Sequence, residues 1–343
     1  MSLDLAGHIV LPGLINAHDH LEFNLFPQLG SGPYANAGEW ARDIYHPERS
    51  PIREQLRVPK AVRLWWGGLK NLLSGVTTVC HHNPYEREVF DAAFPVRVVR
   101  RFGWAHSLEF EPDLAARYRK VPASYPFLVH CGEGVDAAAR REVGALEEIG
   151  VLGARTAIVH GVGLRGEGIA LMRRRGASLV WCPTSNLAML GRTVSRAVLR
   201  SGIPTALATD SALSAPVDLL DELALARKYL PAERLYAMVT SEPARILRLP
   251  ASRDWIAVRS QARTAAGALF AGAIALVAVA GRIRLISPEL AGQLPAAERR
   301  RFQPLHVEGR TPVLVDADIR ALRRAAVKHL GADLRLAGKR ILP

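Results

Sequence analysis

The chain has 343 residues, 49% of them hydrophobic and 22% charged, a balance that excludes a disordered or fibrous protein. Lys plus Arg total 45 against 32 Asp plus Glu, a formal charge of +13, yet the cations are nearly all arginine and spread through every segment. The triplets at 173–175 and 299–301 carry no interleaved aromatics, so they read as solvated helix faces and no nucleic-acid partner is expected.

The length suits one large barrel domain with an appendage. Three cysteines, Cys80, Cys131 and Cys182, cannot make a disulfide framework and each lies in an apolar run. They read as reduced thiols of a cytoplasmic protein. No charged and then apolar leader opens the chain. The stretch 265–281 is free of charge, but two glycines interrupt it and an alternating segment follows, so paired strands are expected there rather than a membrane span.

In chain order, residues 7–12 suggest a first strand. Short apolar runs then recur at 14–17, 76–80, 96–99, 127–130, 156–160, 178–182 and 204–209. Helical patterns at 60–73, 137–149, 166–175 and 193–200 separate some of them, and each of these helices is followed by Gly. Strand, crossover helix, strand in repetition argues for a parallel sheet, and here for a (β/α)8 TIM-type barrel. A doubly wound open sheet is the structural alternative. Seven strands are clear; the missing one is expected within 102–122, best at 104–108. Beyond Leu249 the rhythm ends. Strand-like pieces at 274–280, 282–286 and 311–315 precede a helix at 319–329 and a short strand near 334–341. The expected organisation is a barrel over 12–249 and a small β-rich accessory domain built from both termini, 1–11 plus 250–343.

Of the eleven histidines, His18, His20, His81, His82, His106, His130 and His160 fall at or just past the C-terminal ends of clear or candidate strands. In a parallel barrel those ends form the catalytic face. His18 and His20 alternate, so an extended backbone puts both imidazoles on one side. With His130, His160 and Asp210 at other strand ends, they suit Zn²⁺ or another divalent ion such as Fe²⁺. Taken singly, each has an ordinary reading as a packing or capping residue; their shared position at one end of successive strands favours a metal.

The segment Val10-Leu-Pro-Gly-Leu-Ile-Asn-Ala-His-Asp-His20 resembles the strand-one signature of the amidohydrolase superfamily. Gly75-Val-Thr-Thr-Val79 is similar to its strand two, His130-Cys-Gly-Glu133 to the His-x-x-Glu of strand five, and Val159-His160-Gly161 to strand six. Cys182-Pro-Thr-Ser-Asn186 with Leu190 resembles strand seven, Ala208-Thr-Asp-Ser211 the strand-eight aspartate, and 239–247 the helix after it. The match runs in order from about residue 7 to 249 and points to the branch with cytosine, guanine and adenosine-type deaminases and chlorotriazine hydrolases. The resemblance implies one divalent ion, Zn²⁺ before Fe or Mn, on His18, His20, His130 and Asp210. His160 would sit beside the reacting water or on a second ion, and Glu133 would transfer protons, with His160 and Asp210 joining it in catalysis.

The chain departs from the pattern in two ways. Dinuclear members place a carbamylated Lys on strand four, where only Lys120 is on offer, in a loop; this favours one metal. The accessory strands before the first motif are barely one, and the strand expected just after the barrel is blurred around 251–272. His82, His106 and Asn186 are candidate substrate contacts, and Glu22, Asn24, Tyr34, Asn36 and Trp40 lie in the loop after strand one. The expected activity is hydrolysis of a non-peptide C–N bond in a small molecule, foremost deamination of an N-heterocycle. Amide or lactam hydrolysis, with one metal or two, is the alternative. A non-catalytic scaffold of this fold would have lost ligands, and none is missing. A homo-oligomer is compatible with all of this, and no membrane partner is expected.

Overall fold

The computed structural model describes residues 3–342. Strand β1 (His8–Pro12) leads directly into β2 (Leu14–Asp19), every residue of which is buried. β2 pairs in parallel with β3 (Val76–His81), and β3 with the short β4 (Arg97–Val98). A second parallel sheet follows in chain order: β5 (Gly103–Ala105), β6 (Phe127–Cys131), β7 (Thr156–His160), β8 (Ser178–Trp181) and β9 (Thr205–Leu207). These strands are buried on both faces, which is why they read as continuous apolar runs rather than alternating ones. The fold is α/β with parallel strands. The two sheets meet where the Asp210 amide donates to the His18 carbonyl at 3.1 Å.

Helices Lys60–Leu73, Ala137–Glu148 and Gly166–Arg175 form where the periodicity predicts, the second capped by Asp136 accepting from the Ala139 amide. Gly176, at φ +69°, closes the third in the left-handed conformation that glycine adopts without strain. The segment expected to be helical over 193–200 is shorter, Arg196–Leu199, because Ser195 caps it from outside. Gly67 permits a close approach: a Cβ there would stand 2.2 Å from the Leu21 carbonyl oxygen. The helix Lys60–Leu73 can therefore lie directly against the turn Leu21–Phe23 that follows His20.

The strand sought at 104–108 lies at Gly103–Ala105, within the expected region but earlier, since the chain leaves the sheet at His106. β4 and β5 are joined by residues 99–102 alone, with no crossover helix, and do not pair with each other.

The terminal segments build one antiparallel sheet in the order β1, β10 (Trp255–Arg259), β11 (Ala273–Val279), β12 (Arg282–Ile286), β14 (Val313–Val315), β13 (Gln303–Leu305). The blurred strand after Leu249 is thus β10, its Ile256, Ala257 and Val258 all buried. The charge-free stretch at 265–281 is half helix: Thr264 caps Ala265–Ala271, and only then does β11 begin. Paired strands alone were too simple a reading there. No helix among the described residues is long and apolar enough to cross a membrane. The helix Ile319–Leu330 and a small hairpin, β15 (Arg335–Leu336) with β16 (Lys339–Arg340), complete the chain.

Candidate metal centre

His18 belongs to β2 and His20 follows it; His130 lies in β6, His160 ends β7, and Asp210 comes three residues after β9. His160 and Asp210 hold positive φ, 76° and 58°. That backbone costs a non-glycine residue on the order of 1 kcal/mol or more, a strain that concentrates at functional sites.

The side chains converge. Ligand atoms of His18, His130, His160 and Asp210 all lie within 4.8 Å of one another. His18 Nε2 is 3.3 Å from His130 Nε2 and 3.3 Å from Asp210 Oδ1, and His20 Nε2 is 3.6 Å from the same oxygen. His20 therefore borders the tight group of four, and His160 stands within it.

Oxygen acceptors set the imidazole tautomers. His130 Nδ1 donates to the His106 carbonyl at 2.8 Å, His160 Nδ1 to Asn186 Oδ1 at 2.9 Å, and His20 Nδ1 to Asn83 Oδ1 at 3.1 Å. Each bond places the proton on Nδ1 and leaves Nε2 as a lone pair, an arrangement typical of metal-ligating histidine. His160 Nε2 is buried and has no hydrogen-bond partner; Glu133 Oε1 lies 3.2 Å from it. Asp210 Oδ2 accepts from Ser185 Oγ (2.6 Å) and Ser214 Oγ (3.0 Å), which leaves Oδ1 to the histidines.

Burial pushes the His18 imidazole down to about 4 and holds those of His130 and His160 below their usual value. Burial alone would raise the Asp210 carboxyl, but the hydrogen bond from His18 and the neighbouring imidazoles hold it well below the carboxylate range. Glu133 moves the other way. Burial, then the charges of Asp210 and Glu142, push it well above the usual range. Neutral imidazoles beside an ionised carboxylate are the protonation states a divalent cation requires, so the donor set fits one.

The remaining expected residues have other partners. His82 is fully buried, donates through Nε2 to the Ala105 carbonyl, and packs its ring 4.5 Å from that of His130. His106 is exposed and grips His130 through its backbone carbonyl. Asn186 sits behind His160 and reaches Thr193 with its amide nitrogen. Asn24 and Glu22 bond to Asp19 and Asn83, Asn36 caps the helix Ala37–Ile44, and the Trp40 indole donates to the Leu29 carbonyl. Tyr34 bonds Asp43. Sequence reasoning missed Ser185 and Ser214 on Asp210, Asn83 on His20, and Glu142, whose Oε2 accepts the Gly132 amide at 2.5 Å. Ser185 left a signal inside the 182–186 motif, and Asn83 in the segment His81-His82-Asn83-Pro84 just after the second strand run.

Residues 123–263 match the family model described as Amidohydrolase family. Over that span the chain is similar to the family. The chain is 27% identical over 310 residues to a protein of Syntrophobacter fumaroxidans named 5-methylthioadenosine/S-adenosylhomocysteine deaminase, covering 72% of this chain and 69% of that one. A protein of the same name from Pyrococcus furiosus is 25% identical, with 73% of each chain covered. Among solved structures, an adenosine deaminase from Xanthomonas campestris with bound zinc superposes with a TM-score of 0.67 at 19% identity, covering 94% of this chain and 85% of its own. A triazine hydrolase variant gives the same TM-score at 17% identity, over 94% and 88%. These likenesses show the fold.

Proposed function

We propose that this protein is an amidohydrolase, a metal-dependent deaminase of a small N-heterocyclic amine, and that His18, His20, His130 and Asp210 hold one divalent ion, Zn²⁺ foremost. The proposal takes the eight parallel strands as a closed (β/α)8 barrel over 12–249, with the antiparallel sheet of 1–11 and 250–343 as its accessory domain. Three buried free cysteines are in keeping with a reducing cytoplasm.

The observation that carries this reading is the placement of two carboxyl groups around the histidines: Asp210 Oδ1 lies 3.3 Å from His18 Nε2, and Glu133 Oε1 lies 3.2 Å from His160 Nε2. A divalent ion held by this set supplies Lewis acidity and lowers the pKa of water within its reach. His160, its Nδ1–H fixed on Asn186, offers Nε2 to orient that water. Asp210 accepts a proton from the attacking water, while Glu133 donates one to the ring nitrogen as the C–O bond forms. Asp210 then passes its proton to the exocyclic nitrogen and Glu133 takes back the proton of the new hydroxyl, so ammonia leaves as the C–N bond breaks and the C=O bond forms. The names of the two relatives support a 6-aminopurine nucleoside as substrate.

The test is ammonia release across adenosine-type nucleosides, aminopyrimidines and aminotriazines, run beside N-acyl amino acids, lactams and esters. Turnover of an amine at kcat/KM of about 10⁴ M⁻¹s⁻¹ or more supports deamination. Activity confined to the acyl compounds overturns it in favour of amide or ester hydrolysis.

A further inference from the structure

We propose a second ligand site, separate from the histidine cluster, that takes an organic anion with an apolar body and a phosphate or carboxylate head. The site is a cavity of about 1550 Å³ at the N-terminal ends of β2 and β3, where Gly13, Ile15 and Thr77 form part of its floor. His18 lies three residues further along β2, about 10 Å away at ~3.3 Å per residue, and faces the other end of the strands. Val99, Arg100 and Arg101, in the link that joins β4 to β5 without a helix, form part of its lining.

Its chemistry is two-sided. Phe90, Phe94, Val96, Leu247 and Val279 are buried and apolar. The lining also holds five arginines, Arg97, Arg100, Arg101, Arg253 and Arg284, and only two acids, Asp91 and Asp254; a sixth, Arg248, turns its guanidinium to the Ala123 and Ala154 carbonyls. Both acids are engaged: Asp254 holds Arg97 at 2.6 and 3.2 Å and accepts the Ala280 amide, and Asp91 accepts the Ala93 and Phe94 amides. Arg101 and Arg253 have no ion-pair partner among the described residues, and Arg100 lies 5.2 Å over the Tyr85 ring.

Arg284 is the independent sign. It is 4% exposed, its terminal nitrogens reach Asp316 and the Ala92 carbonyl, and its Nε has no partner. A buried donor left unsatisfied is costly, and an anionic oxygen is the acceptor a guanidinium binds best. A bare inorganic anion would leave the apolar wall unused, and a neutral lipid would leave the arginines unanswered. The volume exceeds the usual ~300–1,000 Å³ of small-molecule pockets, so a nucleoside phosphate or a long-chain acyl anion has room.

The test uses the full-length protein and an aromatic sulfonate probe, 1-anilinonaphthalene-8-sulfonate, followed by fluorescence. One saturable site per chain is expected, with displacement by ADP if the natural ligand is a nucleoside phosphate and by oleate if it is an acyl anion. Arg101→Glu with Arg253→Glu, both on the exposed rim, should weaken probe binding about ten-fold or more while hydrolytic turnover stays unchanged. Arg284→Met should weaken it as well. Absence of saturable binding, binding indifferent to the rim variants, displacement by inorganic phosphate alone, or competition between probe and hydrolysed substrate would each overturn the proposal. Failure of the deaminase reading leaves the probe experiment untouched, because that experiment needs no turnover.

Discussion

Lys70 and Asp19 form a buried ion pair directly beneath the histidine cluster, with Nζ 2.7 Å from Oδ2 and side-chain exposures of 2% and 0%. Asp19 stands between His18 and His20, and its oxygens also accept from Asn71, Asn24 and Asn16. Lys70 reaches in addition to Thr209, the neighbour of Asp210. One cation on the helix Lys60–Leu73 thus ties together the backbone segments that deliver three of the candidate ligands.

Removing one member leaves a buried charge unpaired. Lys70→Met should cost about 3–5 kcal/mol in urea unfolding. The double variant Lys70→Met with Asp19→Asn should recover part of that loss. If the single and double variants are equally unstable, the ion pair is not what holds these strands.

Glu133→Gln separates chemistry from binding. The variant should keep metal content near that of the wild type by elemental analysis, while turnover falls about 10²-fold or more. Normal turnover would remove Glu133 from the mechanism.

Ser185→Ala takes one hydroxyl from Asp210 Oδ2 while every candidate ligand keeps its own side chain. Outer partners of ligating groups commonly tune metal affinity by about 10–100-fold, so metal titration of the apo form should show a loss in that range. His18→Ala should abolish tight binding, and the wild type should retain one equivalent after dialysis. Two retained equivalents would sink the mononuclear reading.

Glu142 makes stability depend on pH. Burial lifts its carboxyl from 4.5 to about 7, against the opposing bond from the Gly132 amide. The folded state therefore keeps a proton that the unfolded state releases, so the contribution of Glu142 to stability is greatest below about pH 4.5 and is lost as pH rises through about 7. The full difference is up to about 3 kcal/mol. Glu142→Gln, which keeps an acceptor for Gly132, should flatten that fall between pH 5 and 7 in chemical unfolding. An unchanged slope would assign it to another group.

The strands and the histidines at their ends were legible in the sequence because both depend on local pattern. A strand buried on two faces must be apolar throughout, so 127–130 and 156–160 announced themselves, and His130 and His160 stand where those runs end. The helix at 60–73 was equally plain from its period, yet nothing in that period says that Lys70 turns inward onto Asp19. The tertiary structure decided which atoms meet. Ser185, Ser214, Asn83 and Glu142 are ordinary polar residues whose roles depend on partners 4 to 63 positions away. It also decided that Asn186 grips His160 and that His106 acts through its backbone carbonyl. Period and composition are properties of neighbouring residues and survive in one dimension. A hydrogen bond between side chains on different strands exists only once packing has brought the strands together, so it leaves no periodic trace in the chain.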